Sequence, residues 1–312
     1  MSLPILTVIV VTRNAQNRIA PLLKALAKQS LADELDVLII SIASAAPRLS
    51  SQEGLNVTFI NRSDFQNLGH ARAEGARRAR STLVAFLEDH ALPDPYWAEA
   101  VYEAFRNAPD MVAVSYSFLN GSPDTYFYRS VFMAEYGALA HPLREGVAPS
   151  LVANNVAYRR DPLLAVGTSL GALMEIDYFL QKAMSSDFKI TTAPKALLAH
   201  QTNRHLGDLL KGHFHYAQLF AVRRVQFEGW SFPKRVVGAA AVPLLVPLLR
   251  IKRLFHAVGD PSKAARAAAA LPIILLLYFA GALGEAWGLL RLQPDLAERL
   301  LWLELESERI SA

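Results

Sequence analysis

The most informative part of the sequence is Ser81-Thr-Leu-Val-Ala-Phe-Leu-Glu-Asp-His-Ala-Leu-Pro-Asp-Pro-Tyr-Trp97, in which an apolar run ends in two acids and a histidine. Residues Leu83 to Leu87 are all apolar, a pattern typical of a parallel strand covered by helices on both faces. Asp94-Pro95 then predicts a helix start. Ligands bind beyond the carboxyl ends of such strands. Glu88-Asp89-His90 therefore either holds a divalent cation or merely caps and solvates a turn, and these residues alone leave both open.

The composition indicates a globular chain with lipid-facing segments. The 312 residues are enough for one large or two modest domains, and 52% of them are hydrophobic, which is high for a purely soluble protein. The absence of cysteine excludes disulfides, thiolate metal sites and cysteine nucleophiles. Eleven basic residues and only three acids lie between Arg204 and Arg266, beside apolar segments. This pattern favours anionic lipid headgroups over nucleic acid as the partner.

Strands and helices alternate through the first 200 residues. Strands are predicted at residues 6–12, 35–41, 57–60, 83–87, 111–118, 151–158, 188–192 and 196–200, and residues 120–150 are predicted to be irregular. Helices are predicted from Ile19, from Ala71 to Arg80 and from Glu175 to about Ser186. Short connections between alternating elements predict a doubly wound, mostly parallel sheet.

Several charged residues at element ends have both a functional and a structural interpretation. Arg72 and the amides near Gly69 could approach a phosphate at a helix N-terminus, or the basic residues of this helix could form a solvated face. Arg159-Arg160 is either a phosphate clamp or a charged strand edge. Acids in Glu175-Ile-Asp177 suit a helix start through the helix dipole alone, so catalysis and a structural role both remain open.

The order of the motifs resembles that of family 2 glycosyltransferases with the GT-A fold, over about the first 230 residues. The runs that carry the resemblance are Val8-Ile-Val-Val-Thr-Arg-Asn14, Asn67-Leu-Gly69, Glu88-Asp-His90, Asn154-Asn-Val-Ala-Tyr-Arg-Arg160, Glu175-Ile-Asp177 and Ala199-His200. The resemblance implies an α/β fold with a GT-A-like, doubly wound, mostly parallel sheet. One departure is clear: the family usually has Asp-Asp-Gly-Ser after the second strand, where this chain has Ser41-Ile-Ala-Ser44.

The same resemblance implies a set of site residues. A divalent metal, manganese or magnesium, is expected on Glu88, Asp89, His90 and His200. Nucleotide-sugar contacts are expected from Thr12, Arg13, Asn14, Ser41, Gly69 and Arg72. The general base is expected to be Asp177 or Glu175. Asp177 is preferred, because the shorter acid in a first helical turn is better fixed by the backbone.

Two apolar segments follow the nucleotide-binding region. The first, Val236 to Leu249, has fourteen apolar residues, fewer than the roughly twenty that span a bilayer, and basic residues on both sides. It is predicted to be re-entrant or interfacial. The second, Ala267 to Leu290, could span, pair with the first, or form a homo-oligomer contact. The predicted domains are a catalytic domain at 1–230, a membrane-associated helical region at 231–292 and an amphipathic tail at 293–312.

Two functions from different classes follow. The first is a membrane-associated glycosyltransferase with a cytoplasmic catalytic domain, which moves a sugar with inversion from a nucleoside diphosphate donor to a polysaccharide or lipid-linked acceptor hydroxyl. The second is a non-catalytic GT-A-like binding or scaffolding protein of the cell envelope, suggested by the missing Asp-Asp-Gly-Ser. Membrane lipids are expected partners and nucleic acid is not. A Rossmann dehydrogenase is disfavoured because no G-x-G-x-x-G follows the first strand.

Overall fold

A computed structural model describes residues 3–12, 19–42, 54–62, 64–65, 67–146, 151–152, 154–184, 188–202, 204–293 and 296. The predicted nucleotide contacts Arg13 and Asn14, and the predicted tail apart from Gln293 and Leu296, lie outside these residues. The chain divides into two compact units. The sheet unit comprises Met1–Gly121 and His141–Gln201, and the helical unit comprises Ser122–Ala140 and Thr202–Ala312.

The sheet unit is built on one eight-stranded sheet. Its strands are β1 Leu6–Thr12, β2 Leu35–Ser41, β3 Asn56–Asn61, β4 Leu83–Leu87, β5 Ala91–Pro93, β6 Ala113–Asn120, β7 Val156–Arg159 and β8 Ile190–His200. They lie in the order β3-β2-β1-β4-β7-β6-β8-β5. The pairs β1–β2, β2–β3, β1–β4 and β6–β8 are parallel, whereas β7 runs antiparallel to both β4 and β6, and β5 antiparallel to β8. The predicted mixed α/β, mostly parallel sheet is confirmed.

The helices of this unit cover the faces of the sheet. They are α1 Ile19–Leu26, α2 Leu68–Arg78, α3 Trp97–Asn107, α5 Arg160–Leu164, α6 Leu170–Leu173 and α7 Asp177–Ala183, while α4 Tyr126–Tyr136 belongs to the helical unit. All residues of β2 and β4 are buried, as expected for strands covered on both sides. Phe86 packs edge-on against Tyr158, and Trp97 against Tyr116, in this core.

Several local predictions are wrong, each for a physical reason. The two strands predicted at 188–192 and 196–200 are one strand, β8, which begins at Ile190. The register shift opposite Tyr116 and Ser117 places Pro194 in a bulge, where no ladder donor is needed. Helix α3 begins at Trp97, and Asp94 instead accepts a hydrogen bond from the Tyr96 amide in the preceding turn. The region 120–150 contains α4, and β7 covers only the end of the predicted strand at 151–158.

The helical unit contains α4 together with α8 Leu206–Glu228, α9 Phe232–Val258, α10 Pro261–Ala269 and α11 Leu271–Leu290. Helix α8, which the sequence assigned to the catalytic domain, packs on α11. A Cβ on Gly284 would lie 1.9 Å from the Phe214 carbonyl oxygen, so glycine is needed for this approach. Buried Glu285 pairs with Arg224 at 2.9 Å, which supplies the partner that its burial requires.

Helix α9 contradicts the length argument drawn from the sequence. It runs for 27 residues, includes Pro243 and Pro247, and continues through the basic residues on both sides of the fourteen-residue apolar segment. Within the described part of the chain, α9 and α11 are both apolar enough and long enough to cross a membrane, judged by length and composition alone. Only 17% of the apolar 18-residue stretch of α9 is buried within the protein, against 50% of the corresponding stretch of α11. Helix α9 therefore exposes more apolar surface.

Candidate metal and catalytic site

Strand register brings distant residues to one edge of the sheet. Val10 of β1 pairs with Leu87 of β4, so the next positions along both strands place Thr12 beside Asp89. Phe86 pairs with Val156 in the antiparallel β4–β7 ladder, which places Asn155 beside the end of β4. The short strand β5 then pairs Ala91 with His200. The triplet that follows β4 is therefore surrounded by residues from β1, β7 and β8.

Glu88, His90 and His200 form a cluster with the geometry of a metal site. One potential ligand atom from each lies within 4.8 Å of the others. His200 Nε2 is 3.0 Å and His90 Nε2 is 3.9 Å from Glu88 Oε2, and the imidazole centroids are 4.7 Å apart. A carboxylate and two imidazoles are suitable ligands for a transition-metal dication, so the donor set fits a bound cation.

Asp89 lies in the same triplet but has different contacts. Its Oδ2 accepts a hydrogen bond from the Thr12 hydroxyl at 2.6 Å, and its Oδ1 is 3.1 Å from His90 Nδ1. A carboxylate on one ring nitrogen of a histidine orients the other nitrogen towards a metal. The sequence grouped Asp89 with the cation ligands and Thr12 with the nucleotide contacts. In the structure Thr12 holds Asp89, and Asp89 contacts the imidazole that faces Glu88.

The ionisation of the cluster suits metal binding. Burial alone would raise the pKa of Glu88, but His90, His200 and the Asn154 amide together hold that pKa well below its usual range. Burial lowers the pKa of His90, against the opposing effect of Glu88. At neutral pH the cluster therefore offers an ionised carboxylate and a neutral imidazole, which are the states that bind metals.

Two asparagines hold the Glu88 carboxylate, a contact that the sequence reasoning did not predict. Asn154 Nδ2 donates to Oε1 at 2.8 Å, and Asn155 Nδ2 donates to Oε2 at 2.6 Å. The Asn155 side-chain oxygen also accepts from the Glu88 amide at 3.1 Å. Their only signal in the sequence was their place in the run Asn154 to Arg160. Together they fix both oxygens of the carboxylate.

Arg72 and Gly69 make contacts within the protein. Arg72 is 5% exposed; its Nη1 donates to the Met174 carbonyl at 2.9 Å, and its Nη2 donates to Asn154 Oδ1. A Cβ on Gly69 would lie 2.3 Å from the Gly171 carbonyl and 2.5 Å from the Glu175 amide nitrogen. The start of α2 therefore packs directly on the segment that leads to α7. Their expected contacts with a nucleotide remain predictions.

Asp177 has the electrostatics of a general base. It is the first residue of α7, and burial raises its pKa to about 7, although the Arg72 cation opposes the shift. A carboxyl group with a pKa near the working pH is suited to proton transfer. Glu175, the other candidate, is 9% exposed and lies two residues before this helix.

The remaining candidates have structural partners. Ser41 ends β2, is buried, and accepts a hydrogen bond from the Arg62 amide through its carbonyl. The Arg159 guanidinium donates to the Phe105 and Ala108 carbonyls at the end of α3, and the Arg160 guanidinium donates to the Ala76 and Arg77 carbonyls at the end of α2. Cations are favoured at helix C-termini. The Arg159-Arg160 pair thus caps two helices, and neither interpretation offered from the sequence described this.

Comparison with known proteins places the chain in a family. The family model for glycosyl transferase family 2 matches residues 7–167. Glucosyl-dolichyl phosphate glucuronosyltransferase of Haloferax volcanii is 28% identical over 109 residues, a match that spans 33% of this chain and 34% of that relative. A mannosyltransferase structure from Pyrobaculum calidifontis, in complex with GDP-Man and Mn2+, superposes with a TM-score of 0.53 at 18% identity. It covers 97% of this chain and 88% of the other. These matches and the sheet topology agree on the GT-A fold, and the chain belongs to glycosyl transferase family 2.

Proposed function

We propose that this chain transfers a sugar, with inversion at the anomeric carbon, from a nucleoside diphosphate donor to an acceptor hydroxyl. The observation that carries the proposal is the approach of Glu88, His90 and His200 to within 4.8 Å of one another at the edge of the sheet where α/β proteins bind ligands. Family membership and the nucleotide sugar held by the similar mannosyltransferase support the same donor class.

The cation is proposed to be Mn2+, held by Glu88, His90 and His200, with Asp89 orienting His90. The carboxylate oxygen of Glu88 is a ligand type that suits manganese, and the structure of the similar mannosyltransferase holds Mn2+. A cation bound at these residues would neutralise the negative charge of the leaving diphosphate. The convergence of three potential cation ligands favours this enzymatic function over the non-catalytic scaffolding alternative.

Proton transfer is assigned to Asp177. Its carboxylate accepts the proton of the acceptor hydroxyl as that oxygen bonds to the anomeric carbon. The bond from this carbon to the diphosphate oxygen breaks, and the diphosphate leaves with the electron pair. A pKa of about 7 leaves a substantial fraction of Asp177 ionised at neutral pH while keeping it basic enough to accept a proton. Glu175 is the alternative base.

Membrane association is proposed for the helical unit. Helix α9 exposes Leu244, Leu245 and Leu248, each more than half accessible, on an apolar helix long enough to cross a bilayer. The basic residues from Arg204 to Arg266 would face anionic headgroups, and this bias favours the cytoplasmic side, where nucleotide sugars are made. The acceptor is then a polysaccharide or a lipid-linked molecule at the membrane.

The function can be tested with the full chain in detergent. Melting temperatures are measured with a panel of nucleoside diphosphates, with and without Mn2+, because ligands that bind the native state raise the melting temperature. We expect one nucleotide to stabilise the protein only when Mn2+ is present, and the matching sugar nucleotide to be hydrolysed or transferred. The absence of any nucleotide-dependent shift and of any donor turnover would reject the proposed function.

A further inference from the structure

A continuous set of hydrogen bonds connects the proposed cation ligand to the segment that bears the proposed base. Arg72 Nη1 donates to the Met174 carbonyl at 2.9 Å, and Nη2 donates to Asn154 Oδ1. Asn154 Nδ2 in turn donates to Glu88 Oε1 at 2.8 Å. Met174 lies three residues before Asp177. One guanidinium thus joins both halves of the site described above.

The chemistry of arginine determines how Asn154 is oriented. A guanidinium has only donors, so the atom of Asn154 that faces Arg72 must be its oxygen. The amide NH2 group is then directed at the Glu88 carboxylate, which has only acceptors when ionised. Without Arg72 the Asn154 amide could turn over and present its oxygen to the carboxylate, which is repulsive. Arg72 therefore determines which end of the amide meets Glu88.

The position of Arg72 is itself tightly fixed. Arg72 lies on α2 and is only 5% exposed. The first turn of α2 packs so closely on the segment from Gly171 to Glu175 that there is no room for a Cβ at position 69. A buried cation of this kind persists only when it is hydrogen-bonded and compensated by negative charge. Both terminal nitrogens of the guanidinium donate hydrogen bonds to protein groups, and the Arg72 cation interacts electrostatically with Asp177.

Resting on the function proposed above, we propose that Arg72 is a positioning residue: through Asn154 it orients the Glu88 carboxylate for the cation, and through Met174 it fixes that carboxylate relative to the segment bearing the base. This role differs from the phosphate contact expected from the sequence. Hydrogen-bond partners behind metal ligands typically change metal affinity by about 10–100-fold when they are removed. Loss of Arg72 should therefore be visible in cation binding without any substrate.

The test measures Mn2+ binding alone, by electron paramagnetic resonance of free Mn2+, on the full chain in detergent. Arg72→Met, Asn154→Ala and the double variant form a cycle, and Arg77→Met is the matched control, because Arg77 is an exposed arginine on the same helix. We expect each single variant to weaken Mn2+ binding by about tenfold or more. The double variant should bind Mn2+ at most about twofold more weakly than the weaker-binding single variant. The two losses should not add, because both residues act through the same chain of contacts. Arg77→Met should match the wild type.

Wild-type Mn2+ affinity in Arg72→Met, or fully additive losses in the double variant, would overturn the positioning role while leaving the proposed function intact. If the wild type binds no Mn2+, the proposed cation site fails and this inference fails with it. Circular dichroism and melting temperatures establish that each variant is folded. Should Arg72→Met not fold, Arg72→Lys replaces it in the same cycle, because lysine keeps the buried charge but lacks the two-armed fork.

Discussion

His200 Nε2 lies 3.0 Å from Glu88 Oε2, although 112 positions separate the two residues in the chain. The contact depends on β5, a strand of only three residues that directly follows the Glu88-Asp89-His90 triplet and pairs with the end of β8. Because Ala91 pairs with His200, the histidine can reach back to the carboxylate just before the strand. The cluster is therefore a product of strand pairing.

We predict that Glu88→Gln removes Mn2+-dependent stabilisation by nucleotide and lowers transfer by about 10²–10³-fold, the range seen when one electrostatic contact of a transition state is deleted. The substitution keeps the size of the side chain but removes the charge that faces both imidazoles. Thermal shifts with and without Mn2+ measure the first effect. Glu34→Gln is the control, because Glu34 is exposed. Equal Mn2+-dependent shifts in Glu88→Gln and the wild type would contradict the assignment.

Asp89→Asn should weaken Mn2+ binding by about 10–100-fold without abolishing it, since Asp89 contacts His90 Nδ1 rather than joining the three-residue cluster. Thr12→Val removes the hydrogen bond from the Thr12 hydroxyl to Asp89. It should weaken Mn2+ binding less, because the Asp89 carboxylate loses only one neutral donor. Titration with Mn2+ measures both. Complete loss of Mn2+ binding in Asp89→Asn, with the fold intact, would instead make Asp89 a direct ligand.

The pH dependence of transfer should follow Asp177, whose pKa burial raises to about 7. A base acts when ionised, so the rate should rise about tenfold per unit below pH 7 and level off above about pH 8. The Arg72 cation opposes this rise in the pKa. Asp177→Asn should abolish transfer while sparing donor binding, and Glu175→Gln should leave the profile unchanged. The reverse pattern would make Glu175 the base.

The pH dependence of folding stability gives an independent test of the raised pKa of Asp177. The folded-state pKa of Asp177 is raised above its unfolded value of 3.8, so the folded protein holds this proton between pH 3.8 and about 7 while the unfolded chain releases it. The stability that this group contributes is complete below the unfolded pKa and is lost as pH rises through the folded one. The melting temperature of Asp177→Asn minus that of the wild type should therefore increase from pH 5 to pH 8, because only the wild type loses this contribution. A difference that is constant with pH would show that the pKa is not raised.

Gly69→Ala should destabilise the fold by about 1–3 kcal/mol, because the new Cβ would meet backbone atoms, which cannot move away individually. Displacement of the 171–175 segment should also reduce transfer, since it leads to Asp177. Gly207→Ala on α8 is the control, because a Cβ on Gly207 would have no atom within 4 Å and alanine favours a helix. Denaturant titration measures both. Wild-type stability in Gly69→Ala would refute the close packing.

For the helical unit we predict that Leu245→Glu with Leu248→Glu releases the chain from the membrane fraction during carbonate washing. Both leucines are more than half exposed on α9, so their replacement removes apolar surface without disturbing buried contacts. Leu3→Glu is the control, because Leu3 is 74% exposed in the sheet unit. A wild-type chain that is monodisperse without detergent would contradict membrane association.

Much of the sheet could be predicted from sequence because its signals are local. Runs rich in apolar and β-branched residues specify β1, β2 and β4 to the residue; β4 is wholly apolar, whereas β1 and β2 each contain buried polar residues such as Thr7 and Asp36. The sequence missed β5, which has only three residues, and split β8 at Pro194, because a bulge that accommodates a proline depends on the partner strand. The apolar segment 236–249 was bounded at its flanking basic residues, whereas α9 continues through them.

Sequence patterns alone identified the acid–histidine triplet after β4, His200 at the end of β8 and the acids Glu175 and Asp177 at the start of α7, because each lies at the end of a recognisable element. Which of these residues contact one another depends on strand pairing and helix packing. Antiparallel pairing of β7 with β4 brings both asparagines to Glu88, and the packing of α2 on the segment before α7 turns Arg72 inwards to Met174 and Asn154. These contacts join positions 66 to 102 residues apart. Local sequence patterns carry no information about such distances, because strand order and helix packing alone set them.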